Sequence, residues 1–121
     1  MNGSRILVVD DDDDIRNLVK TLLELLAVRL GHTTIGPQDW VRGEEPDLVV
    51  LEPESRPGVR LVRGIRRRFP NLPILCVSID GPTPETRTLN PIGHLMKPFR
   101  RSELELAIEG ALDAAPGRLT A

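Results

Sequence analysis

The chain reads as an α/β domain built on a doubly wound, parallel, five-stranded sheet. Three features predict this. Short segments such as "ILVV", "DLVVL" and "PILCVSI" are apolar at nearly every position, which suits strands covered on both faces. Amphipathic stretches with helical period separate them, as parallel crossovers require. The ends of the apolar segments carry Asp10, Asp11, Glu52, Ser78 and Lys97, and in open parallel sheets ligands gather outside the carboxyl ends of the strands. A length of 121 residues suits one domain, assigned to 1–113, with 114–121 reading as a flexible tail.

The elements follow in order. "RILVVD" is a buried strand with charge only at its ends. In "DDDIRNLVKTLLELLAVRL" the period changes, and Ile15, Leu18, Val19, Leu22, Leu23 and Leu26 form one apolar stripe. Asp12, Asp13 and Asp14 stand where an N-cap and first turn belong, and Gly31 stops the helix. "HTTIG" is a short second strand, and "PQDWVRGEE" leaves room for little more than a helical turn around Trp40. "PDLVVLE" is the third strand. "GVRLVRGIRRRF" is a helix with Leu61, Val62, Ile65 and Phe69 inward and its arginines outward. "LPILCVSI" and "GHLMK" are the fourth and fifth strands. Between them "DGPTPETRTLNPI" holds three prolines, and its longest proline-free stretch, 85–90, is too short for a stable helix. "SELELAIEGALDA" closes the fold as a helix with Leu104, Ala107, Ile108, Ala111 and Leu112 inward; Ser102 and Glu105 have capping-box spacing, and Leu106 lies off the stripe.

Composition narrows the function. Aromatic residues are limited to Trp40, Phe69 and Phe99, so a stacking platform for single-stranded nucleic acid is not expected. The single cysteine, Cys76, excludes an internal disulfide and a cysteine-rich zinc site, and it reads as a buried thiol. No stretch reads as a signal peptide or membrane span, so the expected location is the cytoplasm. The net charge of −2 conceals a split, with an acidic half up to residue 54 and a basic half beyond it. The run Arg60, Arg63, Arg66, Arg67 and Arg68 reads as a solvated helix face, with docking of an acidic partner or RNA as the alternative.

The strand ends carry the chemistry. Converging carboxylates repel unless a cation or proton lies between them, and oxygen-only ligands suit Mg²⁺. A lysine and a hydroxyl beside them can neutralise and hydrogen-bond phosphoryl oxygens. Acids, hydroxyl and lysine from four strand ends therefore predict a phosphoryl-handling pocket.

From about Arg5 to Leu112 the chain resembles the receiver domain of bacterial two-component response regulators, a flavodoxin-like (βα)₅ fold. "ILVVDDDDDIRNLV" resembles that family's first strand and acidic pair, at Asp10 and Asp11. "PDLVVLE" resembles its third strand, "ILCVSI" the fourth with the switch hydroxyl at Ser78, and "LMKPF" the fifth with the phosphoryl-contacting lysine at Lys97. The resemblance implies a protein partner, either a histidine kinase or a downstream effector, and Mg²⁺ held by Asp10, Asp11 and the residue at position 52. It also implies a cis Lys97–Pro98 bond and a homodimer face on the fifth strand and last helix.

Several positions depart from the family pattern. Glu52 stands at the phosphoacceptor aspartate, His94 at the fifth-strand switch aromatic, and the loop "PESRPG" is short. The family's second and fourth helices are shortened or lost. The expectation is an atypical, non-enzymatic receiver that signals by protein contact without aspartyl phosphorylation, Glu52 holding the pocket with Lys97 and Ser78 and no cofactor being required. One alternative is phosphorylation of Asp10 or Asp11 with Mg²⁺. Another, of a different class, is an aspartate-nucleophile phosphohydrolase, since Asp10-x-Asp12 resembles the first haloacid-dehalogenase-like motif. No later acidic pair follows Glu54, which counts against it.

Overall fold

The computed structural model describes residues 3–10, 18–40, 43–53 and 56–114, with backbone alone at 18–20. Five parallel strands, β1 (Arg5–Val9), β2 (Thr33–Ile35), β3 (Leu48–Leu51), β4 (Ile74–Ser78) and β5 (Gly93–Met96), form one sheet in the order β2-β1-β3-β4-β5. Strand order reverses at β1, so the crevice beside β1 and β3 is the switch point where such folds place ligands.

Each central strand sends alternate side chains to opposite faces, which explains its unbroken apolar sequence. On one face Ile6, Val8, Leu48, Val50, Leu75 and Val77 pack under α1 (Leu18–Arg29) and α4 (Arg101–Asp113). On the other, Leu7, Val9, Val49, Leu51, Ile74 and Cys76 pack under α2 (Arg56–Arg68), through Val59, Val62 and Ile65. The expected inward residues of α4 are buried at Leu104, Ile108, Ala111 and Leu112, and Leu106 is exposed as its position off the stripe predicts. Burial raises the Cys76 thiol pKa to about 11, consistent with an inert core residue.

The helix ends are set by local chemistry. Gly31, at φ +83°, closes α1: its N–H reaches the Val28 carbonyl, and the His32 N–H reaches that of Ala27, a Schellman arrangement. The aspartates expected to start α1 lie outside the described residues, as do the side chains of Ile15, Leu18 and Val19. Between β2 and β3 the described residues form turns and no helix; Trp40 there donates its indole N–H to the Glu44 carbonyl at 3.0 Å. The fourth helix of the pattern is one turn, α3 (Pro84–Arg87). Thr83 and Thr86 hold it reciprocally, each side-chain hydroxyl accepting the other's backbone N–H, with Pro84 at the first helical position.

One expectation is corrected. The cap of α4 is not the Ser102–Glu105 pair. The helix starts a residue before Ser102, so Arg100 is the N-cap, and its N–H donates to Glu103 Oε1 at 2.9 Å. Register decides between two acids two positions apart, and only Glu103 falls at the third helical position.

Candidate functional site

The backbone ladder brings the pocket together. Asp10 follows β1 directly. Glu52 follows β3, and its N–H donates to the Val9 carbonyl at 3.1 Å, extending the β1–β3 pairing by one residue. Ser78 ends β4. Lys97 follows β5, and its N–H donates to the Ser78 carbonyl at 2.9 Å. The Lys97–Pro98 bond is cis, as expected.

At the centre, Lys97 Nζ donates to Glu52 Oε2 at 2.6 Å. Glu52 is 7% exposed, so this charge-assisted bond lies almost out of water. Glu52 Oε1 is buried with no donor among the described residues. Burial raises the Glu52 pKa from 4.5 to about 7, the hydrogen bond from Lys97 opposing it and contact with the Asp10 carboxyl adding to it. A carboxyl with a pKa of about 7 is partly protonated near neutrality.

Ser78 and His94 form a second cluster. The Ser78 hydroxyl donates to the Asp80 carbonyl, and Ser78 Oγ lies 2.6 Å from His94 Nε2. A carbonyl can only accept, so the hydroxyl hydrogen is committed to Asp80 and His94 Nε2 must be the donor to Ser78. The same Nε2 lies 3.2 Å from the Asp80 carbonyl, and His94 Nδ1 is buried with no hydrogen-bond partner among the described residues.

The structure thus joins Asp10, Glu52 and Lys97 in one group and Ser78 with His94 in another. The expected Glu52–Lys97 contact is present. Ser78 is bonded to Asp80 and His94, and its one hydroxyl hydrogen is used on the Asp80 carbonyl, so it has none to give Glu52. Asp11 lies outside the described residues. Of the oxygen donors that Mg²⁺ would use, the described residues offer Asp10 and Glu52, and one Glu52 oxygen is already taken by Lys97. Among the described residues no group of three His, Cys, Asp or Glu side chains is placed to hold a metal. In this arrangement the Lys97 ammonium compensates Glu52 at Oε2.

The sequence reading missed the part played by Asp80, whose contribution is a backbone carbonyl and carries no side-chain signature. It also missed the Thr83–Thr86 cap, for which Thr followed by Pro at the first helical position was an available signal.

A doubly wound sheet with acid, hydroxyl and lysine at its strand ends defines a receiver domain, and the chain belongs to the response regulator receiver domain family, whose pattern it matches over residues 6–109. It is similar to the chemotaxis protein CheY homolog of Campylobacter jejuni, at 27% identity covering 93% of this chain and 95% of that protein. It is also similar to Protein PetR of Rhodobacter capsulatus, at 32% identity over 96% of this chain and 52% of PetR. Among solved structures, the receiver domain of NtrX from Brucella abortus shares 30% identity with a TM-score of 0.69, covering 91% of this chain and 99% of that one. A response regulator from Thermotoga maritima gives a TM-score of 0.72 at 19% identity, covering 93% and 99%, and shows the common fold. The domain is therefore a module of two-component signal transduction. Among the described residues no helix is long and apolar enough to cross a membrane.

Proposed function

We propose that this receiver signals by protein contact without aspartyl phosphorylation, its pocket held by the internal Glu52–Lys97 pair and requiring neither Mg²⁺ nor a phosphoryl group. The observation that carries this reading is the 2.6 Å bond from Lys97 to Glu52. The lysine that would meet a phosphoryl oxygen already meets the carboxyl group of a side chain one methylene longer than the usual acceptor. Attack geometry set for the shorter side chain is lost at the same time. The partner face is assigned to β5 and α4, where Met96 and Leu106 are exposed, and it serves an effector, a kinase or a second copy of the chain in the cytoplasm.

The test is incubation with acetyl phosphate and Mg²⁺, followed by intact-mass measurement. The wild type is expected to stay unmodified, and Glu52→Asp to gain a labile phosphoryl adduct. An adduct on wild-type Asp10 or Asp11 would overturn the reading in favour of a displaced acceptor. The phosphohydrolase alternative gains nothing from the family match, and no turnover of p-nitrophenyl phosphate is expected.

A further inference from the structure

α2 carries a charge pattern that works against its own stability. Arg56, Arg60 and Arg63 fall at i, i+4 and i+7, on one face, where like charges repel. Arg56 also occupies the first turn, which holds no acid, at the positive end of the helix dipole. Arg66, on another face, is committed to the carbonyls of Leu89 and Pro70 at 2.8 Å each. Arg56, Arg60 and Arg63, by contrast, make no hydrogen bond or ion pair with another described residue.

These three arginines line a groove of about 570 Å³ between α2 and the start of α3, together with Val59, Glu85 and Thr86. It opens beside Pro53, next to Glu52, but none of Asp10, Glu52, Ser78 and Lys97 lines it. A cavity of this size accommodates a small ligand. Guanidinium forks bind phosphate oxygens bidentately, and seven helical residues separate the outer two arginines by a rise of about 10 Å, enough to engage a chain of two or three phosphates. Glu85 offsets one of the three positive charges, which disfavours a singly charged anion. No aromatic side chain among the described lining residues is available to stack a base.

We infer that this groove binds a small polyphosphate anion through Arg56, Arg60 and Arg63, recognising the phosphate chain whether free or carried by a nucleotide. The test is titration of the full chain with sodium tripolyphosphate, ATP and orthophosphate, followed by amide chemical shifts. Tripolyphosphate is expected to shift Arg56, Arg60, Arg63 and Thr86 saturably, and to bind at least tenfold more tightly than orthophosphate. Arg60→Glu should weaken it at least tenfold. Arg29→Glu, the same charge change on α1 and away from the groove, should weaken it far less. ATP binding equal to tripolyphosphate supports a free phosphate chain as the ligand, and tighter ATP binding supports a nucleotide. Equal losses in both variants would show a diffuse electrostatic attraction and overturn the site. So would the absence of saturation at millimolar tripolyphosphate, or an Arg60→Glu effect seen only as loss of self-association in sedimentation.

Discussion

Glu52 makes this pocket sensitive to acid in an unusual direction. Its folded-state pKa lies near 7, above the unfolded value of 4.5, because it is buried and touches a second carboxyl. Between those values the folded chain binds a proton that the unfolded chain releases, so stability falls as pH rises through the window. The contribution is fully present below 4.5 and lost once pH has passed about 7. At about 1.4 kcal/mol per pKa unit, the rise from 4.5 to about 7 corresponds to about 3.5 kcal/mol. Urea unfolding of wild type and Glu52→Gln across this range should show their stability difference shrinking with acidification from the Glu52 side, whereas a pH-independent difference would contradict it. Replacing Lys97 by Met removes the group that, among the described residues, lowers this pKa, and carboxyl NMR should then show Glu52 titrating at higher pH than in the wild type. The identities of these side chains, and the Glu52–Lys97 contact itself, were legible in the sequence, because strand ends in a doubly wound sheet converge. Which oxygen Ser78 would choose was not, since the choice depends on a carbonyl and an imidazole placed by the β4–α3 turn and by the β4–β5 register.

Arg66 shows how an element is held by a residue whose sequence context suggests only exposure. It belongs to an arginine run, yet its guanidinium reaches the Leu89 and Pro70 carbonyls and lies 3.3 Å from that of Asn90, tying the end of α2 to the segment after α3. Partial burial lowers its pKa without threatening its charge. Truncation leaves several carbonyls without that donor, so Arg66→Ala is expected to cost about 1.5–3 kcal/mol in urea unfolding, with Lys a poor replacement because it lacks the planar fork. The single turn of α3 is a related case. Proline spacing correctly limits its length, but its persistence rests on the Thr83–Thr86 cap and on fully buried Leu89 beyond it. Thr83→Ala should therefore lower stability by about 0.5–2 kcal/mol. Period and punctuation revealed the strands and the long helices. The start of α4 and the role of Arg66 depend on register and long-range carbonyls, which periodicity does not encode.

Across the molecule, the sheet order sets a gradient of rigidity that bears on signalling. β1, β3 and β4 are each flanked by two strands and buried at nearly every position, whereas β2 and β5 are edges. β5 is half-buried or exposed throughout, and the element beside it in the chain is reduced to one turn. Amide hydrogen exchange should therefore be slowest at Val8, Val50 and Cys76, opening only with global unfolding, and faster by orders of magnitude over β5 and α3 through local opening. Lys97 follows this edge directly, so a partner that reorganises β5 reaches the Lys97–Glu52 bond without opening the central strands. The same measurement distinguishes mechanisms. If a bound partner or second copy slows exchange along Gly93–Met96 while the central strands are unchanged, the edge is the output surface. If β5 is already as protected as β4 in the free chain, the edge is part of the rigid core, and partner binding must act elsewhere.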